Sequence, residues 1–341
     1  MDTANKEPFL NKKTKYWKDK DISLDPLRNK TVAVIGYGIQ GRAQSCNLKD
    51  SKINVIIGLP KESKSKEKAL EDGHNVMDVP QACKIADVIH ILAPDMQQGA
   101  IYKKDIEPFI SEGKALCFSH GASIHWKWIV PPSDVDVIMI APKGPGQKVR
   151  DLYKEGFGIP ALVSVYQDYT KKSLDVALAI SKAIGSSRAG VFLTDFKEET
   201  ETDCFGEQVD LCGGIQRLVT ISFETLVEAG YKPEIAYFEC LHELKLIVDL
   251  VYEKGLAGMY NKVSETARYG GLTRGPMVIN DETKKRMKKV LKEIQSEKFA
   301  KEWVEIYSKE KRQSFDKFVK EIENHPIEKI GKEVREIIYS R

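Results

Sequence analysis

An apolar run, Thr31-Val32-Ala33-Val34-Ile35, passes directly into Gly36-Tyr37-Gly38-Ile39-Gln40-Gly41 and then into the helical pattern Arg42-Ala43-Gln44-Ser45-Cys46-Asn47-Leu48. Few folds accept a buried strand, a turn with glycine at these three positions and a helix in that order. Gly36 permits a tight turn, Gly38 lets an anion approach the backbone, and Gly41 lets the helix pack closely on the strand. The amides at the start of the helix then face the anion. The arrangement predicts a Rossmann-like βαβ unit whose loop holds the pyrophosphate of a dinucleotide.

The first half of the chain keeps alternating strand and helix. The second strand, Asn54-Val55-Ile56-Ile57-Gly58, is followed by Leu59-Pro60-Lys61-Glu62-Ser63-Lys64-Ser65-Lys66. A site for NAD usually has an acid at this strand end to bond the ribose 2′-hydroxyl. None is present, and the hydroxyls of Ser63 and Ser65 with the ammonium groups of Lys61 and Lys64 suit a 2′-phosphate. The dinucleotide is therefore expected to be NADP. Further strands deliver Asp95-Met96-Gln97-Gln98, then Ser119-His120-Gly121, then Lys143-Gly144-Pro145-Gly146. These segments fall at the carboxyl edge, where ligands bind in such sheets. His120 and Lys143 thus face one crevice.

After Thr194 the alternation stops and long helical patterns fill the chain. A boundary near Asp195 divides an α/β domain, 1–195, from an all-α domain, 196–341. Residues 1–29 read as a polar lead-in. The helical half carries two unusual pairs, Asp203 with Glu207 and Glu239 with Glu243, each four residues apart in an apolar helix. At that spacing two carboxylates share one helix face and repel. Burial beside Phe205, Val209 and Leu211, or beside Phe238, Leu241 and Leu244, aggravates the repulsion. Two divalent cations preferring oxygen ligands, Mg²⁺ before others, would neutralise the set.

Composition narrows the partners. Lys and Arg number 53 against 50 Asp and Glu, a net charge of +3. That balance leaves no footprint for nucleic acid or a membrane surface. No apolar run approaches the ~20 residues of a membrane-spanning helix, and the polar N-terminus lacks an apolar signal region. The six cysteines form no CxxC, and most lie inside apolar segments and read as small buried hydrophobes in a reducing compartment. A cytoplasmic location is expected.

Taken in order, the motifs resemble ketol-acid reductoisomerase (acetohydroxy acid isomeroreductase) in its short, class I form. The resemblance rests on GYGIQG at 36–41, LAPDMQQ at 92–98, FSHGASIH at 118–125 and APKGPG at 141–146. It continues in FKEETETDCFGEQVDLCGG at 196–214, EAGYKPEIAYFECLHELKLIVDL at 228–250 and SETARYG at 264–270. It implies an NADP-binding Rossmann domain, a knotted helical C-terminal domain, and active sites shared between two chains of a homo-oligomer. It also implies two Mg²⁺ held by Asp203, Glu207, Glu239 and Glu243, the last two from the partner chain. Cofactor contacts carry over to Tyr37, Gly38, Ile39, Gln40, Ser63, Ser65, Asp95, Met96, Gln97, Gln98 and Gly146. His120 and Lys143 match active-site residues of the family, and Ser264 its substrate-contacting serine.

The implied reaction converts 2-acetolactate or 2-aceto-2-hydroxybutyrate, on the route to branched-chain amino acids. An alkyl group migrates, and NADPH reduces the resulting 2-keto acid. Glu207 is the candidate for moving the proton. The chain departs from the family at Pro60, where arginine is common, so some use of NADH is expected. Lys262 stands where a serine is usual and Arg268 where an acid is usual. Two rival readings remain: a metal-independent 2-hydroxyacid dehydrogenase, which would not need four carboxylates, and a non-catalytic NADP-binding protein.

Overall fold

The structure, a computed structural model, describes residues 13–310 and 313–340. Two compact units divide the chain, the first ending at Thr200 and the second beginning at Glu201.

The first unit is built on one sheet. Its strands are β1 (Tyr16–Trp17), β2 (Thr31–Ile35), β3 (Asn54–Gly58), β4 (Asn75–Met77), β5 (Val88–Ile91), β6 (Ala115–Phe118), β7 (Asp136–Pro142), β8 (Ala161–Gln167) and β9 (Val191–Leu193). Their spatial order is β1-β9-β8-β7-β6-β5-β2-β3-β4. From β4 to β7 all neighbours are parallel. That stretch is doubly wound, and its order reverses between β2 and β5, the crevice where such sheets bind ligands. Register aligns the strand ends: Ile35 lies opposite Gly58 and Ile91, and Ile91 opposite Phe118. The loops after β2, β3, β5 and β6 therefore emerge along one edge.

Period-two side chains explain why these segments are strands covered on both faces. Val32, Val34, Cys117, Ile138 and Ile140 enter one core layer, while Ala33, Ile35, Leu116, Phe118, Val137 and Met139 enter the other. Each fully buried aliphatic residue of this kind contributes about 1.5–3 kcal/mol.

Three details differ from the sequence expectation. The segment 13–29 is not merely a polar lead-in. Trp17, Leu24, Ile22 and Leu27 pack on the core, Leu27 only 2% exposed, and β1 pairs with β9. Residues 1–12 lie outside the described residues. The three-residue β4 is too short to show a period. And β8 runs antiparallel to β7, so the last part of the sheet does not continue the βαβ pattern.

The second unit contains helices and no strand among the described residues: Gly214–Glu228, Pro233–Tyr237, Glu243–Tyr260, Glu265–Val278, Asp281–Gln295, Lys298–Glu310, Gln313–Glu323 and Pro326–Tyr339. Wide π-turns interrupt it at Glu207–Leu211 and Phe238–His242. Val219, Phe223, Ala236, Tyr237, Ile327 and Val334 form its buried cluster. Among the described residues no helix is long and apolar enough to cross a membrane. Cys83, Cys117 and Cys204 are buried as expected, Cys46 and Cys240 are half-buried, and Cys212, just after the first π-turn, is exposed.

Candidate active site

The glycine loop matches the requirements read from its sequence. Gly36 has φ +104°, and a Cβ there would lie 2.8 Å from the backbone of Leu92 and Ala93. A Cβ on Gly41 would meet the Gly36 carbonyl at 2.4 Å, whereas nothing lies within 4 Å of one on Gly38. The helix Ile39–Asp50 begins there with Gly38 as N-cap. The open space over Gly38 is where a phosphate would sit against the amides. Tyr37, Gly38, Ile39, Arg42, Gly146 and Arg150 line a cleft of about 620 Å³ at this point. Only the backbone of Tyr37 is offered to a ligand. Its buried phenol donates to Asp72 Oδ2 at 2.9 Å, and burial pushes its pKa far above the ordinary value. Asp72 is also gripped by Arg42 at 2.6 Å, and that bond holds its carboxyl down at about 2.

The end of β3 is closed to a ribose-binding acid. A Cβ on Gly58 would come within 2.6 Å of Ile35 Cδ1 and 3.2 Å of Ala82 Cβ. Beyond it, Ser63 Oγ accepts from the Ser65 amide at 3.3 Å, and Lys61 Nζ lies 3.9 Å from Asp78 Oδ2. Ser63 and Ser65 are half-buried while Lys61 is exposed. After β5, the buried Gln98 turns its side chain inward. Its amide donates to the Ala93 carbonyl at 2.8 Å and to Asp95 Oδ1 at 3.0 Å, and its Oε1 accepts from Ser123 at 2.7 Å. Asp95, Met96 and Gln97 begin the short helix after β5, and Gly146 begins the helix after β7. Gly146 packs so tightly on the Ile39 carbonyl that a Cβ would lie 2.5 Å from it.

His120 and Lys143 meet through a residue that spacing did not single out. Glu199, on the helix Phe196–Gly206, is 1% exposed; its Oε1 lies 2.7 Å from Lys143 Nζ and its Oε2 lies 3.1 Å from His120 Nδ1. The Gly121 amide donates to Oε2 at 2.8 Å. Burial alone would raise its pKa, but the His120 bond and the charges of His120 and Lys143 prevail and hold it down at about 2. An ionised acceptor at that distance calls for a proton on His120 Nδ1. The glycine after His120 is required by this packing. A Cβ on Gly121 would lie 2.5 Å from Thr200 Oγ1 and 2.6 Å from the Phe196 carbonyl. Glu199 belongs to the charged run 197–203, where Glu201 is buried as well, and only its partners His120, Lys143 and the Gly121 amide set it apart. No spacing rule could have found it.

The same helix carries Asp203 one turn beyond Glu199 and leads into the π-turn that opens with Glu207. That turn explains the Gly213-Gly214 pair. A Cβ on Gly213 would meet the Gln208 carbonyl at 2.2 Å, and one on Gly214 the Val209 carbonyl at 2.0 Å. Carbonyls five residues back crowd both positions because the turn is wide. Glu239 lies inside the second π-turn and Glu243 just after it, both exposed. Such turns are frequent at functional sites. Among the described residues the two carboxylate pairs do not converge within one chain. Ser264 is exposed and caps the helix Glu265–Val278, accepting from the Ala267 amide at 3.1 Å. Of the two unusual residues nearby, Arg268 donates to the Tyr260 carbonyl at 2.8 Å and so fastens this helix to the previous one. Lys262 is exposed.

Comparison with known proteins covers both halves. Residues 26–190 match the family described as "Acetohydroxy acid isomeroreductase, NADPH-binding domain". Residues 196–339 match "Ketol-acid reductoisomerase, C-terminal domain". The chain is 60% identical over 323 residues to a "Ketol-acid reductoisomerase (NADP(+))" of Cenarchaeum symbiosum, covering 95% of this chain and 97% of that protein. A protein of the same description from Methanocaldococcus jannaschii is 55% identical over 326 residues, with 95% and 98% covered. Among solved structures, an NADH-preferring ketol-acid reductoisomerase from an uncultured archean superposes with a TM-score of 0.92 at 47% identity, covering 94% of this chain and 98% of that one.

Proposed function

The chain belongs to the ketol-acid reductoisomerase family, and from that premise we propose how its own residues divide the work of the reaction. The substrate is a 2-hydroxy-2-acyl acid, 2-acetolactate or 2-aceto-2-hydroxybutyrate, and the product is the 2,3-dihydroxy acid. The observation that carries this reading is the buried Glu199 holding Lys143 and His120 on the helix that continues to Asp203 and Glu207.

In the first step the tertiary hydroxyl loses its proton, its oxygen becomes a carbonyl, and the alkyl group migrates with its bonding pair to the neighbouring carbonyl carbon. That carbon's oxygen takes a proton. In the second step a hydride from NADPH and a proton reduce the new 2-keto group. The donor set fits two Mg²⁺: Asp203 and Glu207 with Glu239 and Glu243 of the partner subunit are all hard carboxylate oxygens. Bound there, the ions supply Lewis-acid polarisation of the substrate oxygens. Glu207 takes the hydroxyl proton. Lys143, held in place by Glu199, stabilises negative charge on the substrate. His120 moves protons at Nε2, and Ser264 contacts the substrate.

Residues 1–195 form the cofactor domain in this reading, and 196–341 the knotted helical domain that supplies the carboxylates and the contact between copies. Tyr37 to Gln40 and Gly146 hold the pyrophosphate. Lys61, Ser63 and Ser65 hold the 2′-phosphate, and Asp95, Met96 and Gln97 face the cofactor. Gln98 shapes that loop. Pro60 cannot donate to the phosphate, so NADPH is preferred and NADH is also used. The NADH-preferring relative supports a family whose cofactor choice varies.

Oxidation of NADPH by 2-acetolactate, with and without Mg²⁺, tests the reading. Turnover that chelator abolishes is expected; no oxidation, or a full rate in chelator, overturns it. Sharing of the site between two chains has its own test. Asp203→Asn and Glu243→Gln should each be inactive. An exchanged equal mixture, in which half the dimers have one intact site, should recover about a quarter of wild-type activity. No recovery would mean that each site is built from a single chain.

A further inference from the structure

A chain of buried polar side chains runs beneath the strand-end loops. His90 on β5 and Gln44 on the helix Ile39–Asp50 are both fully buried. His90 Nε2 lies 3.2 Å from Ser119 Oγ. Gln44 Nε2 donates to Ser119 Oγ at 3.0 Å and to Gln40 Oε1 at 3.1 Å, and Gln40 Nε2 donates to the Gly144 carbonyl at 3.0 Å. Ser119 immediately precedes His120, Gly144 follows Lys143, and Gln40 belongs to the glycine loop. One continuous chain thus touches all three loops.

The direction of the bonds follows from His90. Burial holds its pKa at about 3, so the ring is neutral. Its Nδ1 is buried and has no partner among the described residues. An unpaired buried N–H is rarer than an unpaired acceptor, which places the proton on Nε2, donating to Ser119. Leaving any member unpaired costs about 1–3 kcal/mol. Apolar side chains of equal volume could fill the same space without that risk, so packing alone does not call for these residues. What a hydrogen-bonded chain adds is a fixed separation between the groups it joins.

We propose that His90, Gln44 and Ser119 are positioning residues: they set the distance between the glycine loop and the loops carrying His120 and Lys143, and so govern reduction without touching cofactor or substrate. The proposal rests on the function argued above. Gln40 anchors the chain in the cofactor loop, and the Gly144 carbonyl anchors it in the loop one residue after Lys143.

The test measures kcat for NADPH-dependent reduction of 3-hydroxy-3-methyl-2-oxobutyrate, the Kd for NADPH and the melting temperature. Gln44→Met and His90→Leu keep volume but remove the bonds. Each should lower kcat about tenfold, since a misplacement near 1 Å costs up to a hundredfold, while Kd changes less than about twofold. Because one chain is broken in both, the double variant should lose no more than the worse single one. His90→Gln, whose amide nitrogen reaches the same place, should recover most of kcat. Should the apolar variants fold poorly, Ser119→Ala removes one hydroxyl only and should still lower kcat severalfold. Unchanged kcat with only a lower melting temperature would overturn the proposal, as would a parallel loss of kcat and cofactor affinity. An inactive wild type would instead overturn the functional reading, and this inference with it.

Discussion

The two units handle their apolar residues in opposite ways. In the sheet unit, successive residues of β2, β6 and β7 enter core layers on both faces. In the helical unit, Glu243–Tyr260 and Glu265–Val278 bury no residue, although Tyr252 and Leu256 are 87% and 71% exposed. One chain closes its own core in the first case and leaves apolar helix faces uncovered in the second. In the functional reading a second copy covers these faces, the same copy that brings Glu239 and Glu243 to Asp203 and Glu207.

The largest expected effect separates the units by chemistry. Asp203→Asn should abolish both isomerisation and reduction, a loss above about a hundredfold, since changes even to residues behind a metal ligand cost 10–100-fold. NADPH binding should stay nearly intact, because the glycine loop lies in the other unit. Titration of cofactor fluorescence alongside turnover checks this, and a parallel loss of affinity would break the division of labour. Removal of Mg²⁺ should stop alkyl migration more completely than reduction of a pre-formed 2-keto acid, which needs only one polarised carbonyl.

The uncovered helix faces give the next effect. Leu256→Glu would bury a carboxylate against an apolar partner at a cost of several kcal/mol. Dimers should dissociate at concentrations about a hundredfold higher than for the wild type, with activity lost in step. Sedimentation at several concentrations reads this directly, and wild-type mass and activity would show that this face is not the contact.

Sequence legibility followed the range of each signal along the chain rather than the division into units. The glycine loop, β2, β3, and the strand-end placement of His120 and Lys143 could be read because their signals are local: a period of two, a glycine triplet, a strand running into a turn. Glu199 could not, because it differs from Glu198 only in what it faces. β1 escaped notice because Tyr16 and Trp17 form a strand only by pairing with Phe192 and Val191 of β9, far along the chain. The carboxylate pairs were legible as i,i+4 spacings, but the π-turns around Glu207 and Glu239 were not. Gly213 and Gly214 signalled something unusual in the backbone without saying what.

Glu199 itself ties stability to pH. Its folded pKa is lowered from 4.5 to about 2. Its contribution is therefore fully present above pH 4.5 and is lost as the pH falls from there toward 2. Glu199→Gln breaks a buried pair and leaves Lys143 without its counter-charge, at a cost of about 3–5 kcal/mol near neutrality. Denaturant unfolding across pH should show the gap between wild type and variant narrowing within that acid window. A gap constant from pH 6 to pH 2 would mean that Glu199 is not ionised in the folded protein.

The smallest expected effect concerns the cofactor loop, where the sheet unit departs from the family. Ser63 and Ser65 stand close enough for the hydroxyl of one to accept from the amide of the other, while Lys61 is drawn toward Asp78. Pro60 supplies no donor, and the end of β3 is packed shut at Gly58, so in the functional reading the 2′-phosphate relies on Ser63, Ser65 and Lys61 and no acid there favours a bare ribose. Each charge-assisted hydrogen bond to a phosphate is worth roughly 1.5–3 kcal/mol. Loss of the one an arginine would make lowers the preference for NADPH by about tenfold or more. Replacing both Ser63 and Ser65 with Asp should invert what remains, because two carboxylates repel the 2′-phosphate and accept from a bare ribose. The ratio of kcat/KM for NADPH and NADH, before and after the double substitution, measures this. An unchanged ratio would show that the loop after β3 does not meet the adenosine ribose, and the cofactor would have to be placed elsewhere along the edge.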